Sequence, residues 1–167
     1  MEDGNAYNGG RPRQSVAMQI SARSDYALRA LLTLAAADEP MTAEELATAQ
    51  SLPATFLEGI LLDLRRGGII ASRRGRIGGY RFARDPGEVT PADVIRILDG
   101  PLAEVRGERP ENTTYADAAE PLQQLWVALR ANMRTVLEGV SIAELANGKL
   151  PRKLTRLLDD PDAWIPR

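Results

Sequence analysis

The sequence of 167 residues contains no cysteine and no histidine. These absences exclude disulfide bonds, thiolate and imidazole metal sites, and the nucleophiles and proton shuttles that many enzymes use. Carboxylates, Lys, Ser and Tyr are present, but not within a phosphate-binding glycine loop, a GxSxG turn or an SxxK motif. We therefore expect a protein that is not an enzyme and holds no metal ion.

Long apolar runs are missing as well. The sequence contains no run of about eighteen apolar residues, the length needed to cross a bilayer. Its N-terminus also lacks the charged start and apolar core of a signal peptide. We expect a cytoplasmic protein without a membrane partner. Residues 1–17 are rich in Gly, Asn and Arg and show no apolar periodicity, so we expect them to form a flexible arm.

Three helices are predicted in the first part of the chain. The first follows Asp25, the second spans 43–50 after a capping box of Thr42 and Glu45, and the third spans 53–66 and ends at two glycines. Their apolar residues recur at helical spacing: Leu28, Leu31, Leu32 and Ala35 in the first helix, and Leu57, Ile60, Leu61 and Leu64 in the third. The second and third helices, joined by a few residues, are typical of a helix-turn-helix.

A basic two-stranded ribbon is predicted next. Residues 69–71 and 80–82 have the pattern of strands, and the segment 75–79 between them is a turn. Residues 64–84 contain seven arginines and no acid, although the net charge of the chain is -2. Because binding depends on the local field, and because the arginine fork matches phosphate oxygens, this segment predicts contact with the backbone of double-stranded DNA.

The C-terminal part is dominated by a long helix that opens at Pro121. A helix capped by Thr90 precedes it and ends near Gly100, and the polar connection 103–120 joins the two. Apolar residues along the long helix are separated by 4, 3, 4, 3 and 4 positions, a spacing typical of a coiled-coil seam. This seam predicts a homodimer interface formed by Leu122, Trp126, Leu129, Met133, Val136 and Val140. Ser141 and Glu144 then cap a short helix.

The expected fold is mainly α with a small β-wing: a winged helix-turn-helix domain plus a long C-terminal dimerisation helix. We divide the chain into a flexible arm (1–17), the DNA-binding domain (18–102), a loop (103–120), the dimerisation helix with the short capped helix (121–148) and a tail (149–167).

The sequence resembles the Rrf-two family of bacterial winged-helix transcription regulators, whose members include an iron-sulfur cluster regulator, a nitric-oxide sensor and a repressor of cysteine metabolism. The resemblance covers about 18–148 and rests on SDYALRALLTLA (24–35), LPATFLEGILLDLRRGGII (52–70), SRRGRIGGYRFAR (72–84), VTPADVIRILDGPL (89–102) and VSIAELANG (140–148). It implies a homodimer on an imperfect palindrome, with helix 53–66 in the major groove and the wing in the minor groove.

The resemblance also implies a switch, because many members hold an iron-sulfur cluster on three cysteines in the segment equivalent to 103–120, and some use an acid at the position of Asp25. Here the segment offers no thiolate, only Glu104, Glu108, Glu111, Thr114, Asp117 and Glu120. Since protein iron-sulfur clusters depend chiefly on cysteine, we expect no cluster and no cofactor. Asp25 then has an ordinary interpretation as an acid in the first turn of a helix.

The residues expected to contact DNA lie at the second helix start, on the third helix and on the wing: Thr42, Ala54, Thr55, Phe56, Glu58, Arg65, Arg66, Arg73, Arg74, Arg76, Ile77, Gly78, Gly79, Tyr80 and Arg81. Two interpretations of the wing tip stay open. Either Arg76 enters the minor groove while Ile77 presses on sugars, or Ile77 packs back on the hairpin.

The sequence thus predicts a sequence-specific DNA-binding transcription regulator, and we expect it to be a repressor. The alternative is a winged-helix adaptor that binds proteins and does not read DNA. Such an adaptor has no need of seven unpaired arginines. For regulation, Asp25, Tyr115 and Trp126 are candidates to line a pocket for a small organic effector. The other interpretation keeps Trp126 in the seam and leaves control to a protein partner, or leaves repression constitutive.

Overall fold

The computed structural model describes residues 19–73, 75 and 78–166. The described chain forms these helices and strands in order: α1 (Ala22–Ala35), α2 (Ala43–Gln50), α3 (Ala54–Arg66), β1 (Ile70–Arg73), β2 (Gly79–Phe82), α4 (Pro91–Leu98), α5 (Pro121–Leu137), α6 (Ile142–Ala146) and α7 (Arg152–Leu158). The strands pair as one antiparallel ribbon. The predicted fold class, mainly α with a small β-wing, is confirmed, while the predicted arm 1–17 lies outside the described residues.

Helices α1, α2 and α3 enclose the core of the N-terminal part. The predicted leucine face of α3 is fully buried, with Leu57, Ile60, Leu61 and Leu64 each at most 1% exposed. Burying one such side chain stabilises the fold by about 1.5–3 kcal/mol. This single face therefore fixes α3 against α1 and α2 and leaves its opposite face outside.

The turn between α2 and α3 follows from its local chemistry. At the start of α2, the Thr42 hydroxyl accepts from the Glu45 N–H, and the Glu45 carboxylate accepts from the Thr42 N–H at 2.7 Å. At its end, Ser51 adopts a left-handed conformation (φ 52°), and the buried Leu52 donates its N–H to the Ala47 carbonyl. Pro53 is the N-cap of α3 rather than its first helical residue, a shift within the usual uncertainty of helix ends.

The β-ribbon is tied to the loop between α1 and α2. Its register pairs Ile70 with Phe82 and Arg73 with Gly79. Beyond the ribbon, Met41 and Tyr80 exchange both backbone hydrogen bonds, at 3.1 and 2.7 Å. This isolated bridge therefore ties the base of the two-stranded wing to the α1–α2 loop.

The chain returns to this core after α5. Ile142, the first residue of α6, is 0% exposed within the same apolar core as α1 and α3, and its N–H donates to the Val89 carbonyl at 2.8 Å. The capping box of Ser141 and Glu144 is present as predicted. The predicted grouping of this short helix with the dimerisation helix is wrong, because its apolar side chain is buried in the winged-helix domain.

The seam prediction also needs a correction at Val140. Helix α5 ends at Leu137, and Val140 lies beyond that end with 6% of its surface exposed. Val140 is therefore buried within its own chain and does not extend the apolar face of α5. The tail contains α7, which the sequence did not indicate, and no helix of the described chain is long and apolar enough to span a membrane.

Candidate nucleic-acid interface

The outer face of α3 carries the side chains that were expected to read bases. Ala54, Thr55, Phe56 and Glu58 are all exposed, opposite the buried leucines. Phe56, 44% exposed, also packs edge-on against the Tyr26 ring, with the centroids 5.8 Å apart. Thr55 and Glu58 thus have the freest polar groups on this face, while part of Phe56 serves the contact with α1.

Gly59 is a further residue of this face that sequence reasoning missed. It lies inside α3, is exposed, and a methyl group built on it would meet nothing within 4 Å. A glycine inside a helix costs about 1 kcal/mol relative to alanine. Because the fold gives no reason for it, Gly59 is suited to a close approach of the helix backbone to a partner. A glycine within an amphipathic pattern was the available signal.

Arg65 and Arg66 extend this face at the end of α3. Arg65 is exposed and donates to the Ser72 hydroxyl at 3.1 Å, which joins α3 to β1. Arg66 pairs with Asp63 at 3.5 Å, and Asp63 also accepts from Arg23 at 2.6 Å. Arg84 lies 3.8 Å from Asp93. The expectation of seven unpaired arginines is therefore wrong for two of them, although such exposed pairs are weak.

The two faces of the ribbon differ in charge and surroundings. Side chains alternate along a strand, so Ser72 and Tyr80 share one face, and Arg73 and Arg81 share the other. Arg73 and Arg81 are exposed and line a cleft together with Asp38 and Glu39 of the α1–α2 loop. These two arginines therefore lie on the side of the ribbon opposite to Arg65 and Ser72.

The glycines near the wing tip have a structural reason for their presence. A methyl group on Gly79 would lie 2.8 Å from the carbonyl carbon and oxygen of Met41, and one on Gly78 would lie 2.6 Å from the Arg73 oxygen. Tyr80 is half-buried and packs on the core. Of the other predicted wing contacts, Arg74, Arg76 and Ile77 lie outside the described residues.

The segment 103–120 is fastened to α5 by hydrogen bonds. Gln123 donates to the backbone oxygens of Glu111 and Thr113 at 3.0 and 2.7 Å, and Arg130 forms an ion pair with the Glu111 carboxylate. A hydrogen bond from its own backbone, and then Arg130, lower the pKa of Glu111. Thr113 is 0% exposed. This segment, expected only to be a polar connection, therefore packs in a defined conformation along one face of α5.

The three residues predicted to line an effector pocket do not form one set. Trp126 donates its indole N–H to the Tyr115 hydroxyl at 3.0 Å, so these two side chains meet. Asp25 is exposed on α1 and lies 3.7 Å from Arg29. No described contact joins Asp25 to either aromatic residue. Tyr115 and Trp126 thus fasten the segment to α5 instead of opening a pocket with Asp25.

Helix α5 leaves the predicted seam only partly buried. None of its 17 residues, all of which the structure describes, is buried. Leu122, Trp126, Leu129 and Met133 are half-buried, and Val136 is 39% exposed. Leu125, which the seam prediction omitted, is 54% exposed beside them. The apolar face of α5 is thus only partly covered by its own chain.

Among the described residues no set of side chains suits an iron-sulfur cluster. Cysteine and histidine are absent from the sequence, and among the residues that the structure describes no three carboxylates are grouped to hold a metal ion. An iron-sulfur cluster requires thiolate ligands. The residues present around 103–120 therefore do not fit such a cluster.

Comparison with known proteins agrees with this geometry. The Rrf2 (Rrf-two) family model, described as an iron-dependent transcriptional regulator, matches residues 20–148. An HTH-type transcriptional regulator of Mycobacterium tuberculosis is 43% identical over 145 residues, which cover 86% of this chain and 90% of that protein.

Two solved structures share the fold. CymR, the global cysteine regulator of Bacillus subtilis, has a TM-score of 0.66 at 28% identity, covering 79% of this chain and 98% of that one. A transcriptional regulator from Listeria innocua has a TM-score of 0.64 at 31% identity, covering 82% and 92%. The predicted family resemblance is confirmed, and the relatives are regulators rather than enzymes. The chain belongs to the Rrf-two family of DNA-binding helix-turn-helix transcription regulators.

Proposed function

We propose that the protein is a homodimeric repressor that binds an imperfect palindrome without an iron-sulfur cluster. In this proposal α3 enters the major groove, the wing reaches the minor groove, and α5 pairs with the same helix of a second copy. We also propose a cytoplasmic location, because such a regulator has to reach the chromosomal DNA.

The single observation that carries the DNA-binding part is the division of α3 into two faces. Its leucine face is fully buried, while Thr55, Glu58 and Gly59 are exposed on the other side and Arg65 extends that side toward the ribbon. A helix held in this way can present its first turns to base edges. Glu58 can accept from a cytosine amino group, and Thr55 can contact a phosphate or a thymine methyl.

The arginines around α3 and on the wing supply the phosphate contacts of the proposal. Arg65 has a neutral partner, the Ser72 hydroxyl, so its charge is not compensated by that contact. Arg73 and Arg81 serve the opposite side of the ribbon, where Asp38 and Glu39 weaken the positive field. Among the described arginines we therefore assign the stronger contribution to Arg65, while Arg74 and Arg76 stay contacts predicted from the sequence.

The incompletely buried seam of α5 supports the dimer. Apolar side chains that recur along one helix without being buried are suited to an equivalent helix. A two-fold axis through such a pairing presents one α3 to each half of a palindrome.

The experiment begins with the genomic fragments that the purified protein retains, which are sequenced to define its operator. Operator affinity is then measured against salt concentration for the wild type and for Arg65→Ala, with Arg152→Ala in α7 as the matched control. Each phosphate contact contributes about 0.9 to the slope of log affinity against log salt, and the proposed dimer carries two copies of Arg65, so Arg65→Ala should lower the slope by about 1.8. Arg152→Ala should leave the slope unchanged.

Two results contradict the proposal. Equal slopes in all three proteins would remove Arg65 from the DNA contact. Failure of the wild type to retain any DNA at low salt would favour an adaptor that binds proteins.

A further inference from the structure

A cavity of about 440 Å3 lies where α4, the segment 103–120 and α5 meet. Its volume falls within the usual range of small-molecule sites. The backbone from Gly100 to Leu102 forms part of the wall, and the charged lining consists of Arg96, Arg109, Glu111, Arg130 and Arg134. The cavity is thus bordered by four guanidinium groups and one carboxylate.

The carboxylates near the cavity neutralise only part of this charge. Arg130 is paired with Glu111, and Arg96 and Arg134 share Glu138. Bonds from Arg96 first, and then from Arg134, lower the pKa of Glu138. The four arginines of the cavity together with Glu111 and Glu138 carry a formal net charge of two positive units. Asp93, 3.9 Å from Arg96, is also shared with Arg84 and with the cap of α4.

Arg109 is the arginine of this cavity that lacks a close ion pair, although its charge helps to lower the pKa of the nearby Glu111. It makes no ion pair with any residue of the described chain, although it lines the same cavity as the three paired arginines. Like charges that converge on one concave surface raise the positive potential there and attract anions. The planar guanidinium fork matches carboxylate and phosphate groups with two parallel hydrogen bonds.

We infer that this cavity binds a small organic anion that carries at least two negative charges as carboxylate or phosphate groups. In the bound state Arg109 and the terminal nitrogens of Arg134 contact the anion, while Arg96 stays paired with Glu138 and Arg130 holds Glu111 at the margin. The site contains no residue of α3 or the wing, so it is separate from the proposed DNA contacts. It also replaces the pocket that the sequence suggested around Trp126.

The position of the cavity gives the anion a regulatory role, a consequence that rests on the proposed function. Arg96 belongs to α4, which packs on the core with Val94 and Leu98, whereas Arg130 and Arg134 belong to the dimer helix. An anion held between them connects the DNA-binding domain to α5. Binding of the anion and of the operator must then change each other's affinity by the same factor.

The test is calorimetric titration of the full-length protein with citrate and, separately, with inorganic phosphate, at constant ionic strength. We expect saturable binding of at least one of them in the wild type. Arg109→Gln removes a charge without leaving a partner unpaired, and it should weaken binding by about tenfold or more, the value of one charge-assisted hydrogen bond. Arg106→Gln is the matched control, since Arg106 lies in the same segment and stacks over the Tyr115 ring outside the cavity; its affinity should equal that of the wild type.

Three outcomes overturn the inference: no saturable binding of either anion at millimolar concentration, equal affinity in Arg109→Gln and wild type, or an equal loss in both variants. Binding of citrate alone assigns a carboxylate ligand, and binding of phosphate alone assigns a phosphorylated one. Operator binding without either anion tests the proposed function separately, and Arg109→Gln should retain it.

Discussion

Two glutamates that close helix N-termini connect the stability of the protein to pH. Hydrogen bonds from the backbone N–H and hydroxyl of Thr42 lower the pKa of Glu45, and those of Ser141 lower the pKa of Glu144. Since the folded values lie below the ordinary value of 4.5, the stabilisation is complete above pH 4.5 and is lost as the pH falls through the folded values.

The double variant Glu45→Gln and Glu144→Gln should therefore lose less thermal stability than the wild type on acidification. Glutamine can still accept the capping hydrogen bond, so the helices remain capped at neutral pH. The measurement is the unfolding midpoint against pH, with Glu88→Gln as a control outside the capping boxes. Parallel curves for the double variant and the wild type would contradict the role of these carboxylates.

Gly59 allows stability and DNA binding to be separated at a single residue. Gly59→Ala fits into open space within α3, so it should stabilise the protein by up to about 1 kcal/mol. The added methyl group stands on the proposed base-reading face, so operator affinity should fall. Chemical unfolding and operator titration of the same preparation measure the two effects. A gain in stability with unchanged operator affinity would remove Gly59 from the interface.

At the residue scale, local patterns predicted the caps and the leucine face, because these depend on neighbours within one or two helical turns. The pair between Arg66 and Asp63 has the i,i+3 spacing of neighbours on a helix, so it could have been predicted, although Asp63 lies one residue outside the acid-free segment. The arrangement of Gly79 against Met41 depends on a backbone 38 residues away in the chain. Such contacts become visible only when the chain is folded.

The incompletely buried seam of α5 leads to a prediction about this element. Met133→Glu places a charge among apolar side chains, so it should convert dimers to monomers and weaken binding to the palindrome, because the two half-sites are no longer held together. Gln124→Glu adds a charge to an exposed position on the opposite side of α5 and should leave the dimer intact. Sedimentation at micromolar concentration measures both. A wild-type monomer under these conditions contradicts the proposed dimer.

Elements with strong periodicity and caps were predicted closely, whereas those held by distant contacts were not. The segment 103–120 has no periodicity, and its order comes from Gln123, Trp126 and Arg130 on α5. Helix α7 is short, and Leu154 is its one buried residue. Helix α6 was predicted as an element, but its docking against Val89 depends on the path of the whole chain. Sequence patterns therefore predicted the helices better than their grouping into domains.

For the whole molecule, the absence of thiolates leads to a prediction about iron. Protein purified from iron-replete cells should be colourless and carry iron far below one atom per chain, since clusters depend on cysteine sulfur. Treatment with a chelator should leave operator affinity unchanged. Stoichiometric iron, or operator binding that disappears with the chelator and returns with ferrous iron, would show a metal site of another kind.

Because α5 is attached to the winged-helix domain at one end, a small tilt of the helix displaces its other end by several ångströms. Its C-terminal end is fixed twice, because Glu138 bonds to Arg96 and Ile142 bonds to Val89. A helix of 17 residues is about 25 Å long, so a tilt of about 8° at the fixed end carries the other end about 3.4 Å, the rise between neighbouring base pairs. In the proposed dimer, a tilt of this size would displace one α3 from its half-site by about one base-pair step.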